Sequence, residues 1–264
     1  MKTTTFILSI LAALFAGGMT SNAEEHFSLT VKDNRFEIVN GNIKVDNLNG
    51  EIYPGISLGG GRTVFHCFFG KVKRPRLDSL MIAADEKTVK RIEMMSKPFE
   101  INGILHQFLV NIEARAGKPY ILLESALMNL DRIPSSAFFG WTWRMTSDKY
   151  SADGAEPCPA VFPWKKMPFK DSLFFPASKA NMALALDGSE KNLKFLTNIN
   201  SEEKTKSWKN AIWGLMINKD NQRLIKKDEA IRLNFVLFSP KDATEAQSET
   251  VKMKKDNLFP QIWK

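Results

Sequence analysis

"ILHQFLVNIEARAGKPYILLESALMN", residues 104 to 129, reads as two long strands folded back on each other, and this reading decides the fold. The Gly and Pro of "AGKP", residues 116 to 119, are the residues of a four-residue hairpin loop. Such a loop sets Arg115 opposite Tyr120 and pairs Phe108 with Leu127, Ile112 with Leu123 and Ala114 with Ile121. All of these paired positions are apolar, so one face of the hairpin belongs to a core. The other face carries Gln107, Asn111, Glu113 and Arg115 against Met128, Glu124, Leu122 and Tyr120, with Asn111 beside Glu124.

Working outward, the same pattern recurs. Near the C-terminus Ile231, Leu233, Phe235 and Leu237 point one way, and Arg232, Asn234, Val236 and Phe238 the other. Further alternating runs, among them "RFEIVNG", "RTVFHCFFG", "TVKRIEMM", "NMALALDG", "KNLKFLTNI" and "AIWGLMIN", are separated by Asn, Gly, Asp and Pro. Helical periodicity is confined to "ATEAQSETVKMKK", residues 243 to 255, with Asp242 or Thr244 as its cap. Sheets with one apolar and one mixed face pack in pairs. The predicted fold is therefore all-β, a large antiparallel β-sandwich with a short C-terminal helix.

In "FFGWTWRM", residues 138 to 145, Trp141 and Trp143 share a side with Phe139 and Met145. Burying such a row is worth roughly 1.5 to 3 kcal/mol per side chain, so the spacing predicts a core strand. Gly140, Thr142 and Arg144 then occupy the mixed face, Gly140 leaving a depression and Arg144 forming its charged wall. The alternative exposes the tryptophans as a platform for sugar rings. A second platform is Trp164 in the proline-rich "PCPAVFPWKKMPF", residues 157 to 169, which reads as a long ordered loop, either functional or packed as a lid.

Residues 1 to 23 have the basic start, apolar run and small residues of a secretory signal peptide cut between Ala23 and Glu24. The apolar run is shorter than the roughly 20 residues of a membrane span, so no stable membrane span is expected. The mature chain, residues 24 to 264, is expected to be one exported β-sandwich domain, periplasmic or extracellular. Its basic surplus, 37 Lys and Arg against 29 Asp and Glu in the full chain, is scattered, and this argues against nucleic-acid binding. "KVKRPR", residues 71 to 76, is the one dense run; it reads as a solvated surface or as attraction to acidic envelope polymers.

Cys67 and Cys158 can pair after export or stay free, Cys67 as an apolar filler of a buried strand. His26, His66 and His106 lack the spacing of paired metal ligands. No cofactor is indicated: "LGGGRT", residues 58 to 63, lacks the Lys-Ser/Thr of a phosphate loop and reads as a wide turn, and no Gly-x-Ser-x-Gly elbow occurs.

The runs "KPYILLESALMNLDRIPSSAFFGWTWRM" and "LIKKDEAIRLNFVLFSP" resemble galactose-mutarotase-like supersandwich domains. There a long strand ends in an asparagine before a loop and a returning strand, and a turn carrying Gly-Glu precedes the last strand; here Asp228 and Glu229 fill that turn. The resemblance spans roughly residues 27 to 240 and implies a carbohydrate-related role, since such domains include sugar epimerases and the β-domains of polysaccharide lyases and hydrolases. The epimerases use a histidine acid and a glutamate base. His106 and Glu124 are available, but neither stands in that local motif, and the hairpin register points His106 to the core, away from Glu124. The expected function is thus non-catalytic carbohydrate or glycan binding on a mixed sheet face with Asn111, Glu124 and Arg144, joined by Trp164. The alternatives are an epimerase or polysaccharide lyase-like enzyme using His66 or His106 with Glu124, and a cell-envelope structural or interaction protein.

Overall fold

A computed structural model of the chain describes residues 26–47, 50–58, 61–72, 74–145, 149–159, 165–167, 169–177, 180–186, 193–199, 211–220 and 223–259. The expected leader, residues 1 to 23, and Trp164 lie outside the described residues. The strands in chain order are β1 (Phe27–Lys32), β2 (Arg35–Asn40), β3 (Ile43–Asn47), β4 (Pro54–Leu58), β5 (Gly61–Val64), β6 (His66–Phe68) and β7 (Leu77–Asp85). Then follow β8 (Val89–Ser96), β9 (Phe99–Ile101), β10 (Ile104–Arg115), β11 (Lys118–Asn129), β12 (Phe139–Met145), β13 (Lys149–Ala152) and β14 (Cys158–Pro159). The rest are β15 (Lys165–Met167), β16 (Ser172–Phe175), β17 (Met182–Leu186), β18 (Leu193–Ile199), β19 (Ala211–Ile217) and β20 (Ala230–Phe238), before helix α1 (Ala243–Lys255).

All the pairings are antiparallel. β1 to β5 form a five-stranded meander. A large sheet runs β14-β13-β16-β17-β20-β11-β10-β8-β7, with β9 also on β10, and a third sheet runs β15-β18-β19-β12-β6. The all-β sandwich expected from the alternation is the architecture found.

The hairpin register holds from His106–Asn129 to Ala114–Ile121. It fails at the turn: Arg115 pairs with Lys118, not Tyr120, after a bulge at Ala114 and Arg115. Gly117 at φ 70° allows a tighter connection than four residues, and the bulge absorbs the extra residues of β11, Pro119 among them. Asn40 at the end of β2 donates from Nδ2 to the carbonyls of Lys118 and Tyr120 at 2.7 and 3.1 Å, so the meander is fastened to the hairpin.

The large sheet and the third sheet bury their apolar faces on each other. Phe108 of β10 lies 5.3 Å from Phe139 and 5.7 Å from Trp141 of β12. Trp141 and Trp143 are fully buried, so the core reading of the tryptophan strand is the correct one and the exposed platform is not formed. The depression expected at Gly140 is absent, because a Cβ there would meet the Leu215 carbonyl oxygen at 2.3 Å and Met216 Cγ at 2.7 Å. Gly140 is needed for the close approach of β19.

"RTVFHCFFG" is not one strand. It divides at Phe65, with β5 in the meander and β6 in the third sheet, and Phe65 at the divide stacks on Trp143 at 5.1 Å and on Phe235 at 5.7 Å. Cys67 fills the core and Cys158 is exposed; both are free thiols, so the disulfide is not made. Helix α1 is capped by Asp242, which accepts from the Glu245 N–H at 2.8 Å. Its Ala246 and Met253 form a second core with Leu122, Phe174, Val236 and Phe238 on the outer face of the large sheet. Part of the face read as mixed is thus apolar because the helix covers it. Among the described residues no helix is long and apolar enough to cross a membrane.

Candidate functional site

The structure separates the residues expected to form one site. Asn111 and Glu124 are cross-strand partners on the outer face of the large sheet, in a row with Glu93 and Asn234. Asn111 Nδ2 stands 3.5 Å from Glu124 Oε2. Both residues are only 1% exposed, and Asn111 Oδ1, like Asn234 Oδ1 in the same row, has no hydrogen-bond partner among the described residues. Arg144 is exposed, but it belongs to the third sheet, whose outer face points away from the large sheet. Asn111, Glu124 and Arg144 therefore cannot line one groove.

A different cluster forms around Arg144. β12 pairs with β6, and Thr142 opposite His66 puts both on the outer face of the third sheet, with Arg144 two residues along the same face. Thr142 Oγ1 donates to the His66 carbonyl at 3.2 Å, which fixes the two strands at this point. Tyr53, from the turn before β4, is 1% exposed and brings its ring centroid to 6.0 Å from that of His66. Over the Tyr53 ring lies the guanidinium of Arg74, 5.8 Å from its centroid.

Two buried polar atoms of this cluster, Tyr53 Oη and His66 Nδ1, have no hydrogen-bond partner among the described residues. Native structures leave few such groups unpaired, because each costs the desolvation that a partner would offset. Burial pushes the Tyr53 phenol well above its usual range, so it remains an O–H donor. Burial and the Arg74 and Arg144 charges hold His66 below the ordinary histidine value, with Glu51 opposing them. His66 is thus a neutral imidazole with a free ring nitrogen. The alternation of "FHCFF" already places His66 opposite to Phe65 and Cys67, and that was the legible signal; Tyr53 in "EIYPGI" carries none.

His106 does not share this character. Its Nδ1 bonds the Ile104 carbonyl at 2.7 Å and its Nε2 the Ser135 hydroxyl at 2.8 Å. With both ring nitrogens engaged in the interior and Glu124 on the opposite face of the sheet, the pair His106 and Glu124 cannot act as acid and base. Burial lowers the His106 pKa as well. A base with a depressed folded pKa stabilises fully above its unfolded value, 6.5, and loses that contribution as pH falls through and below it. The urea midpoint is therefore expected to be level from about pH 8 to 7 and to fall between about pH 6.5 and 5, with a shallower fall for His106→Asn. A midpoint that rises on acidification would contradict this.

Asn129, the last residue of β11, organises the loops beside His106. Its Nδ2 donates to the Ile133 and Ile225 carbonyls, both at 2.8 Å, and its backbone exchanges hydrogen bonds with Asp228 and Glu229. Asp228 has φ 61°, the left-handed region that glycine favours. The two segments that carried the family resemblance thus meet in space.

Comparison with solved structures places the backbone. A galactose mutarotase-like protein from Clostridium acetobutylicum superposes with a TM-score of 0.52 over 82% of this chain and 98% of its own, at 9% identity. The chain has the galactose-mutarotase-like fold. A GH36 α-galactosidase from Geobacillus stearothermophilus matches with a TM-score of 0.53 at 8% identity over 85% of this chain, which spans 42% of the α-galactosidase's length. No protein-family model and no curated protein matches the sequence. Asp228, in the turn before β20, holds a backbone angle that aspartate tolerates better than most residues.

Proposed function

We propose that this chain is an exported carbohydrate-binding protein that holds a sugar on the outer face of its third sheet without cleaving it. The observation that carries the reading is the pair of buried polar atoms, Tyr53 Oη and His66 Nδ1, left without partners among the described residues beside two exposed arginines. A sugar presents what they lack, hydroxyls that both donate and accept. The sugar enters by displacing the exposed Arg74 guanidinium from the Tyr53 ring, a contact worth about 0.5 to 1 kcal/mol at such a site. Tyr53 then donates to one hydroxyl and His66 Nδ1 bonds another. The structural likeness to galactose mutarotase-like proteins supports a carbohydrate ligand.

The test is a glycan array followed by titration calorimetry with Tyr53→Phe. Removing an unpaired buried hydroxyl is expected to leave stability unchanged or raise it by up to about 1 kcal/mol, while sugar affinity drops about 3- to 10-fold. An array on which no glycan binds would sink the reading. Sugar binding that is indifferent to Tyr53→Phe would move it to another surface.

A further inference from the structure

We propose that the sugar held at His66 and Tyr53 is one unit of an acidic polysaccharide, a chain of uronate sugars that continues into the adjoining basic groove. The inference rests on the glycan-binding reading above and names the chemical class of the ligand. A groove of about 520 Å³ opens beside the cluster, with Pro75 and Phe99 on its apolar side and Arg74, Arg76, Lys97 and Glu100 as its charged groups. Pro75 is buried and holds Arg74 and Arg76 out to solvent on either side of it. The Lys97 N–H donates to the Arg76 carbonyl at 2.8 Å, which fixes the two walls of the groove to each other. Arg74 belongs to both the groove and the Tyr53 cluster, so the two adjoin.

Charge selects the occupant. Arg74, Arg76 and Lys97 stand with Glu100 along the groove, and Arg144 and Glu51 stand around His66; among these groups there are four cations against two carboxylates, and none of the four is in an ion pair among the described residues. The surplus of two is small for a densely sulfated chain and suits one carboxylate per sugar. A planar carboxylate matches the guanidinium fork, and such a charge-assisted pair outweighs the contact that Arg74 gives up over Tyr53. The proline and phenylalanine surface of the groove takes the C–H faces of the sugar rings.

The experiment is titration of the full mature chain with a galacturonate hexasaccharide, its methyl ester, a heparin hexasaccharide and poly-L-glutamate. The galacturonate is expected to bind at least about tenfold tighter than the neutral ester, a margin that closes between about 50 and 500 mM salt. Arg76→Gln with Lys97→Gln should weaken galacturonate about tenfold and the ester by much less, about twofold, whereas Tyr53→Phe should weaken both alike. Equal binding of the ester overturns the acidic ligand and leaves sugar binding standing. Heparin or polyglutamate binding as tightly as galacturonate overturns the uronate assignment in favour of charge alone. Binding of none of the four overturns it together with the site.

Discussion

Trp141→Ala is expected to destabilise the protein by about 3 to 5 kcal/mol, the range for emptying a buried aromatic site. Trp141 has no exposed surface, packs on Phe108 and donates from Nε1 to Ser125 Oγ at 2.9 Å. Ser125 in turn donates to the Leu233 carbonyl at 2.7 Å, so one indole ties β12 to β11 and, through it, to β20. The substitution removes packing from the centre of the sandwich and leaves Ser125 Oγ short of a donor. A comparison separates the two losses. Trp143 is equally buried, yet its Nε1 has no partner. Trp141→Phe should therefore cost about 1 kcal/mol or more beyond Trp143→Phe, which removes an orphaned N–H together with similar volume. Urea denaturation with an unchanged slope is the measurement. A Trp141→Ala loss below about 1 kcal/mol would mean that the two sheets do not close on this residue.

The hairpin at 104 to 129 was legible because the period of alternation is two and a single slip would turn Phe108, Ile112 and Leu123 to the outside. The tryptophan strand and helix α1 were legible for the same kind of reason, a strict spacing and a competent cap. β7 was not, since it lies at the sheet edge, is largely exposed on both faces and carries two bulges that break its alternation. The division of "RTVFHCFFG" at Phe65 was hidden because alternation says which face a residue takes, not which sheet its strand joins.

That limit also explains the site. Asn111, Glu124 and Arg144 each stood correctly on a mixed face, but periodicity could not tell that the faces belong to different sheets. Nor could it tell that Asn111 and Glu124 are closed to solvent. Trp164 stays outside the described residues. Tyr53 reaches His66 through the chain's crossing from the meander to the third sheet, and Arg74 through the segment that leads on from β6 to β7 of the large sheet, neither of which a local pattern encodes.

The second large effect lies on the outer face of the large sheet and has a direction that depends on which partner is removed. Glu113 is 1% exposed and accepts from Arg91, its cross-strand neighbour on β8, and from Arg115 Nε at 2.6 Å. The arginine side chains keep 28% and 34% of their surface in water. Removing the carboxylate leaves two cations that can turn outward and be hydrated, so Glu113→Ala should cost no more than about 1 to 3 kcal/mol. Removing one arginine leaves the carboxylate with the other and should cost about 1 kcal/mol. Arg91→Met with Arg115→Met leaves a buried carboxylate with neither guanidinium, and that double variant should lose about 3 to 5 kcal/mol, well beyond the sum of the single losses. Adding Glu113→Gln to it should recover part of the loss, because a neutral amide costs less to bury than a carboxylate. A double variant no worse than the sum of its singles would show that water enters this face and solvates Glu113, and the same reading would then extend to Asn111 and Glu124 one row away.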